Sequence, residues 1–195
     1  MNSTFYKFIN LKMVKKMNVQ IKLISCLLQF PDKSLLKWLP ELRQVLNEIK
    51  SVSDRNRYDK ILSYFEQTPL IQLQEQYTET FDLNSSNCMN LTYHRWGDTE
   101  KRGTALAHLE EIYLKSGFER ISSELPDFLP LILEFISERP HVANSEIIPL
   151  YGTVVEALAE RFGQAGQPYS LLFKQLIDTL GLSEAAANSQ VDALD

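Results

Sequence analysis

The stretch SSELPDFLPLILEFIS, residues 122–137, decides how the chain folds. It is too apolar for a loop, yet it carries Pro126 and Pro130, with Glu124 and Asp127 around the first of them. A helix start reconciles these features. With Asp127 as N-cap, Phe128, Leu129 and Pro130 become the first three helical positions. Their N–H groups have no intrahelical partner, so Pro130 removes no hydrogen bond. The Asp127 carboxylate then accepts the Leu129 N–H and faces the positive end of the helix dipole, while Pro126 stiffens the approach. Downstream, Leu131, Ile132, Leu133, Phe135 and Ile136 point in every direction around the axis, which predicts a central, buried helix. Capping leaves Glu124 unexplained. Its carboxylate is expected near that of Asp127, and two acids at a rigid, partly apolar corner suit the basic residues of a partner.

The same helical spacing recurs on both sides of this stretch. Val19, Leu23, Ile24, Leu27 and Leu28 form a first stripe, stopped by Pro31. Asp32 caps a second, Leu35, Leu36, Leu39, Leu42, Leu46 and Ile49, which Pro40 is expected to kink or split. Tyr58, Ile61, Leu62 and Phe65 make a third. Thr68 as N-cap, with Pro69 at the first helical position, opens a fourth through Leu70, Leu73, Tyr77 and Phe81. Residues 82–90 read as a loop. Gly97, Asp98 and Thr99 open a helix with Ala105, Leu106, Leu109, Ile112 and Tyr113 inward, and Gly117 is placed to end it. Another helix spans Ser145 to Phe162. Gly163 and Gly166 mark a turn, and Pro168 starts a last stripe of Leu171, Leu172, Leu176, Ile177 and Leu180, closed by Gly181. No segment alternates with period two between turn signals. The prediction is an all-α, single-domain bundle of about eight or nine helices.

The chain has 195 residues, 44% of them hydrophobic and 23% charged, which suits one globular domain over residues 18–181. A basic extension (1–17) precedes it and a short polar tail (182–195) follows. The extension holds Lys7, Lys12, Lys15 and Lys16 and no acid, but lacks the continuous apolar run and cleavage site of a secretion signal. Four of the 20 basic residues lie there, so the rest sets 16 bases against 25 acids. Such an acidic body disfavours nucleic acid and anionic lipid. No apolar run of about 18 residues offers a membrane span. Cys26 and Cys88 lack metal or redox spacing and read as free thiols in a reducing cytoplasm.

Catalytic signatures are missing. There is no glycine-rich phosphate loop, no nucleophile elbow and no H-E-x-x-H. His94, His108 and His141 form no i, i+4 pair, and neither cysteine lies close enough in sequence to complete a zinc site. Glu110 and Glu111 read as a solvated face. A binding protein without metal or cofactor is the expectation; the competing enzyme reading uses Glu124 and Asp127 as an acid/base pair.

Four blocks carry a resemblance. They are LLQFPD at 27–32, YTETFDL at 77–83, LTYHRWGDTEKRGTAL at 91–106 and ELPDFLPLILE at 124–134. In this order they resemble the NarJ family, the molybdenum cofactor assembly chaperones of respiratory nitrate reductase, also called its delta subunit. The last block is similar to the family's E-L-P-D-[HY]-L-P-x-x-L-E signature. The resemblance implies an all-α fold shared with TorD-like redox-enzyme maturation chaperones, and a cytoplasmic, non-catalytic protein. It implies binding of the apo catalytic (alpha) subunit, notably its N-terminal segment, until the molybdenum cofactor is inserted and before membrane attachment. Molybdenum cofactor biosynthesis proteins are further implied partners.

In the wider group an E-x-x-P-D-H motif lines the peptide-binding region. By position this singles out Glu124, Pro126 and Asp127, with Phe128 where the wider group has histidine. Tyr77, Phe81, His94 and Arg102 are further candidates for client contact. Tyr77 and Phe81 read equally as core or groove wall, and His94 as a satisfied, half-buried histidine. Gly97, Asp98 and Gly103 read as shaping a helix start and a close helix crossing, and Phe128 and Pro130 as structural. A groove of this kind takes an amphipathic helix, with apolar anchors inside and acids at the rim reading basic residues. The alternative clients are molybdoenzymes of the dimethyl sulfoxide or trimethylamine oxide reductase type, and a general helical scaffold without a dedicated client is a further alternative.

Overall fold

Asn18, whose side chain accepts the Ile21 N–H at 3.3 Å, starts α1 (Val19–Leu27). The computed structural model describes residues 18–121, 123–163 and 169–182. The basic extension, Gly166, Pro168 and the tail beyond Leu182 lie outside the described residues. Asp32 caps α2 (Lys33–Val45) as expected, its Oδ1 accepting the Leu35 N–H at 2.8 Å. The expected split at Pro40 does not occur: α2 runs unbroken through it. Pro40 is exposed, on the side of α2 where the carbonyl it leaves without a partner can be hydrated. Ser51 caps α3 (Val52–Gln67). Thr68 ends α3 rather than capping α4 (Leu70–Tyr77), and Pro69 itself takes the N-cap position. A π-turn, Thr78–Asp82, continues α4.

Within the expected loop lies a 3-10 turn, Ser85–Asn87. Short α5 (Leu91–Trp96) stops at Gly97, whose φ of 54° lies in the left-handed region that glycine adopts without strain. Next come α6 (Glu100–Lys115), α7 (Leu129–Glu138) and α8 (Pro140–Val142), a single turn. A second π-turn, Ala143–Ile147, leads into α9 (Ile148–Phe162), and α10 (Tyr169–Leu180) closes the described chain. Nine of these helices exceed a single turn, and the described residues hold no sheet, only an isolated antiparallel bridge between Asn90 and Phe128.

The central pair is α1 and α7. Residues 21–27 of α1 and 129–137 of α7 are all buried, so α7 is the enclosed helix its apolar run predicts. The polar groups that this pairing buries find each other. Ser25 Oγ donates to the Pro130 carbonyl at 2.7 Å, and Lys22 forms an ion pair with Glu134 and reaches Glu138 at 3.6 Å. Around the pair lie two aromatic clusters. Tyr113, Phe118 and Phe135 join α6, the following turn and α7, with ring centroids 4.8 to 5.5 Å apart. Phe81, Phe162, Tyr169 and Phe173 join the first π-turn to α9 and α10, with Phe162 stacked on Phe173 at 4.3 Å. Leu182, expected in the tail, is instead buried over α9. A Cβ added at Gly152 would meet Leu182 Cδ2 at 3.3 Å, so the close approach favours glycine there. Among the described residues no helix is long and apolar enough to cross a membrane.

Candidate functional site

The signature stretch is held by its neighbours more than by its own helix. Phe128 N–H donates to the Leu125 carbonyl at 3.1 Å, closing a turn through Pro126 and Asp127. Phe128 occupies the N-cap position of α7, and no side chain caps that helix. The expected Asp127 cap on its own helix is therefore corrected. Its carboxylate turns the other way and serves α5. Oδ2 accepts the backbone N–H of Thr92 at 3.1 Å and the Thr92 hydroxyl, while Oδ1 accepts Asn90 Nδ2 at 2.9 Å. Thr92 is the second residue of α5, where a side-chain cap acts. The cap comes from a residue 35 positions away instead of from the local chain.

The main chain repeats this link. Leu91 N–H donates to the Asp127 carbonyl at 3.0 Å, and Leu129 N–H donates to the Met89 carbonyl at 2.7 Å. Tyr113 Oη donates to the Pro126 carbonyl at 2.7 Å. Thr92 Oγ1, which donates to Asp127, accepts from Arg102 Nε at 3.2 Å. The third and fourth sequence blocks thus form one hydrogen-bonded unit. Asp127 is 0% exposed, and converging donors are what offset the desolvation of a sealed carboxylate. Burial pushes the Tyr151 phenol up to about 12, with the Asp127 charge adding to the effect.

Glu124 points elsewhere. Its side chain is exposed, and its backbone carbonyl accepts a hydrogen bond from Arg120, which also donates to Glu110 Oε2 at 3.1 Å. The two carboxylates expected side by side are therefore divided, Asp127 sealed and Glu124 at the surface. Near Glu124 the surface is apolar: Leu125 is 43% exposed, Ile121 56% and Leu114 64%. Leu114 lies one turn after Glu110 on α6, so the Arg120 link brings this face of α6 beside the turn before Asp127.

The remaining sequence candidates separate. Pro126 is buried, and Pro130 sits at the second position of α7, where its missing N–H leaves no gap. His94 is half-buried, one ring nitrogen lying 2.7 Å from the Cys88 carbonyl and 3.7 Å from Cys88 Sγ. The Cys88 thiol is raised, chiefly by burial. Arg102, besides its Thr92 bond, lies 3.5 Å from Asp98 and over the Tyr93 ring. Tyr77 and Phe81 are 4% and 3% exposed and have their ring contacts with Phe30, Phe162, Tyr169 and Phe173, in the aromatic cluster of α4 and α10. Gly103 does not shape a close helix crossing: a Cβ there meets nothing within 4 Å. Among the described residues no group of three or more histidines, cysteines or acids could hold a metal ion.

The profile of the nitrate reductase delta subunit family matches residues 48–175, a span that contains the whole linked unit. The chain belongs to this family. Among its relatives, the Bacillus subtilis protein named as nitrate reductase molybdenum cofactor assembly chaperone NarJ is 34% identical over 160 residues, 80% of this chain and 85% of that protein. The Escherichia coli NarJ of the same description is 27% identical over 161 residues, 82% of this chain and 68% of that protein. In fold, the chain is similar to the crystal structure of a protein assigned as a redox enzyme maturation protein from Archaeoglobus fulgidus. Their TM-score is 0.57 at 19% identity, covering 87% of this chain and 93% of that one.

In this family member, Asn90, Thr92, Tyr113 and Arg120 hold the signature in place, and none stands out in the sequence as a site residue. The one available signal was Asn90, an N-cap residue type directly before the Leu91 block.

Proposed function

We propose that this chain is an assembly chaperone for a respiratory nitrate reductase. It binds the apo catalytic (alpha) subunit by its N-terminal segment and holds it in the cytoplasm, before membrane attachment, while the molybdenum cofactor is inserted. Contact with molybdenum cofactor biosynthesis proteins belongs to the same role, and the chain itself catalyses nothing. Family membership and the names of its relatives support the chaperone role. The observation that carries the client site is the division of the two signature acids. Asp127 is spent inward, fixing the turn, and Glu124 is presented outward beside exposed Leu114, Ile121 and Leu125. An acid at the rim of an apolar, rigid surface suits a basic amphipathic segment. The apolar anchors then set most of the affinity, and the charge sets association rate and salt dependence.

The test is titration calorimetry of the full chain with the N-terminal segment of the alpha subunit at low and high salt. It is paired with nitrate reductase activity in a strain lacking the chaperone gene. Binding should weaken with salt without vanishing. Glu124→Gln and Leu125→Ala should each weaken it several-fold at wild-type melting temperature and lower reductase activity in the strain. Undiminished affinity and full maturation in the doubly substituted, folded protein would overturn the assignment of this surface. Failure of the wild-type chain to restore reductase activity would overturn the chaperone role.

A further inference from the structure

A groove of about 540 Å³ runs between α9 and α10. Leu171, Ile177 and Leu182 make its wall apolar, and Glu156 and Glu160 stand on its α9 rim. These two glutamates are four residues apart and share one helix face. Among the described residues neither forms an ion pair or a side-chain hydrogen bond. On the α10 rim Asp178 is already engaged by Arg57 at 2.7 Å. The α9 rim is therefore a pair of carboxylates beside apolar surface, with Lys174 the one base among the described lining residues, and this acidic excess suits a basic, apolar occupant.

The chain itself carries a segment of this chemistry. Gln20, the second residue of α1, accepts hydrogen bonds from Gln175 Nε2 at 3.1 Å and Thr179 Oγ1 at 3.3 Å, both on α10. The groove residues Lys174 and Asp178 each precede one of these by a single position, about 100° around the α10 axis. The residues before Asn18 therefore enter the fold where α1 meets α10, with the Asn18 N–H donating to the Ser137 carbonyl at 3.2 Å. They include Phe5, Tyr6, Phe8, Ile9, Leu11, Met13 and Val14, with four lysines and no acid. At about 3.3–3.6 Å per extended residue, such a segment has ample reach. The residues after Leu182 start at the groove. Their charges are Glu184, Asp192 and Asp195, with no base, so they repel the Glu156 and Glu160 rim.

We propose that the basic segment 1–17 docks intramolecularly in the α9/α10 groove, its lysines against Glu156 and Glu160 and its apolar side chains against Leu171, Ile177 and Leu182. This contact is independent of the client role proposed above. The test treats the full chain with a water-soluble carbodiimide, which joins lysines to adjacent carboxylates, and maps the links by mass spectrometry on a mixture of isotope-labelled and unlabelled protein. The expected links join Lys7, Lys12, Lys15 or Lys16 to Glu156 or Glu160 within one molecule. Their yield should fall several-fold at high salt, because exposed charges are screened. In Glu156→Gln/Glu160→Gln, a rim substitution that should keep the wild-type melting temperature, trypsin should cut after Lys15 and Lys16 several-fold faster. Three results would each overturn the proposal: an unchanged cutting rate, links that join two copies, or links from Lys174 to Glu184, Asp192 or Asp195 with the N-terminal lysines unlinked.

Discussion

The carboxylate of Asp127 accepts the main-chain N–H of Thr92 at 3.1 Å, across 35 residues of sequence, and nothing in its own helix. Asp127→Asn tests this directly. An amide has one acceptor oxygen, and its NH2 group must then confront a donor of Asn90 or Thr92. A loss of about 1–3 kcal/mol in urea unfolding is expected, with partial recovery when Asn90→Ala removes the opposing donor. A simple N-cap would behave differently, since Asn and Asp cap almost equally well. Wild-type stability of Asp127→Asn would favour that simpler role.

Phe135 and Phe128 should respond unequally. Phe135 is fully buried against Tyr113 and Phe118, so Phe135→Ala should cost about 3–5 kcal/mol. Phe128 is only half-buried, and its link to Asn90 is through the backbone, so Phe128→Ala should cost clearly less. Chemical denaturation of the two variants side by side decides it.

Two glycines of one sequence block should shift stability in opposite directions. Gly103 lies in α6 with open space around it, so Gly103→Ala should stabilise by about 0.5–1 kcal/mol. Gly97 has a φ of 54°, which strains any L side chain, so Gly97→Ala should destabilise by about 1 kcal/mol or more. Thermal melts that move the same way for both would refute this.

Glu134 sets a pH dependence. Its carboxyl is raised, first by burial, with the Lys22 charge opposing. A carboxyl that holds its proton more tightly in the folded state stabilises most below the unfolded value of about 4.3. That contribution is lost as pH rises through the raised folded value. The stability advantage of wild type over Glu134→Gln should therefore shrink as pH rises from about 4 towards neutrality. An advantage that grows over this window would mean that the Lys22 pairing outweighs burial.

The parts of the fold that were legible are those where local chemistry decides. The apolar run of α7 marked it as enclosed, Asp32 and the stretch Gly97 to Thr99 marked helix starts, and Gly117 marked a helix end. The direction of Asp127 was not legible, because spacing along a chain does not reveal a donor 35 residues away. Tyr77 and Phe81 were ambiguous for a related reason. Two aromatics four residues apart look alike whether they line a groove or fill a core, and packing against Phe162 and Tyr169 made them core. At Pro40 the sequence left a kink and a split open, and α2 runs through it without a split.

The bridge between Asn90 and Phe128 ties the chain at the neck of a lasso, with α5, α6 and the turn to Pro126 as the noose. A neck fixed by main-chain and carboxylate hydrogen bonds holds the two ends of the loop at a set separation. Lengthening the exposed span around Glu119 then adds only a slowly growing closure entropy, about 0.6 kcal/mol for each doubling of a flexible loop. The surface next to the signature can therefore vary in length and sequence while the two blocks that anchor it stay in register.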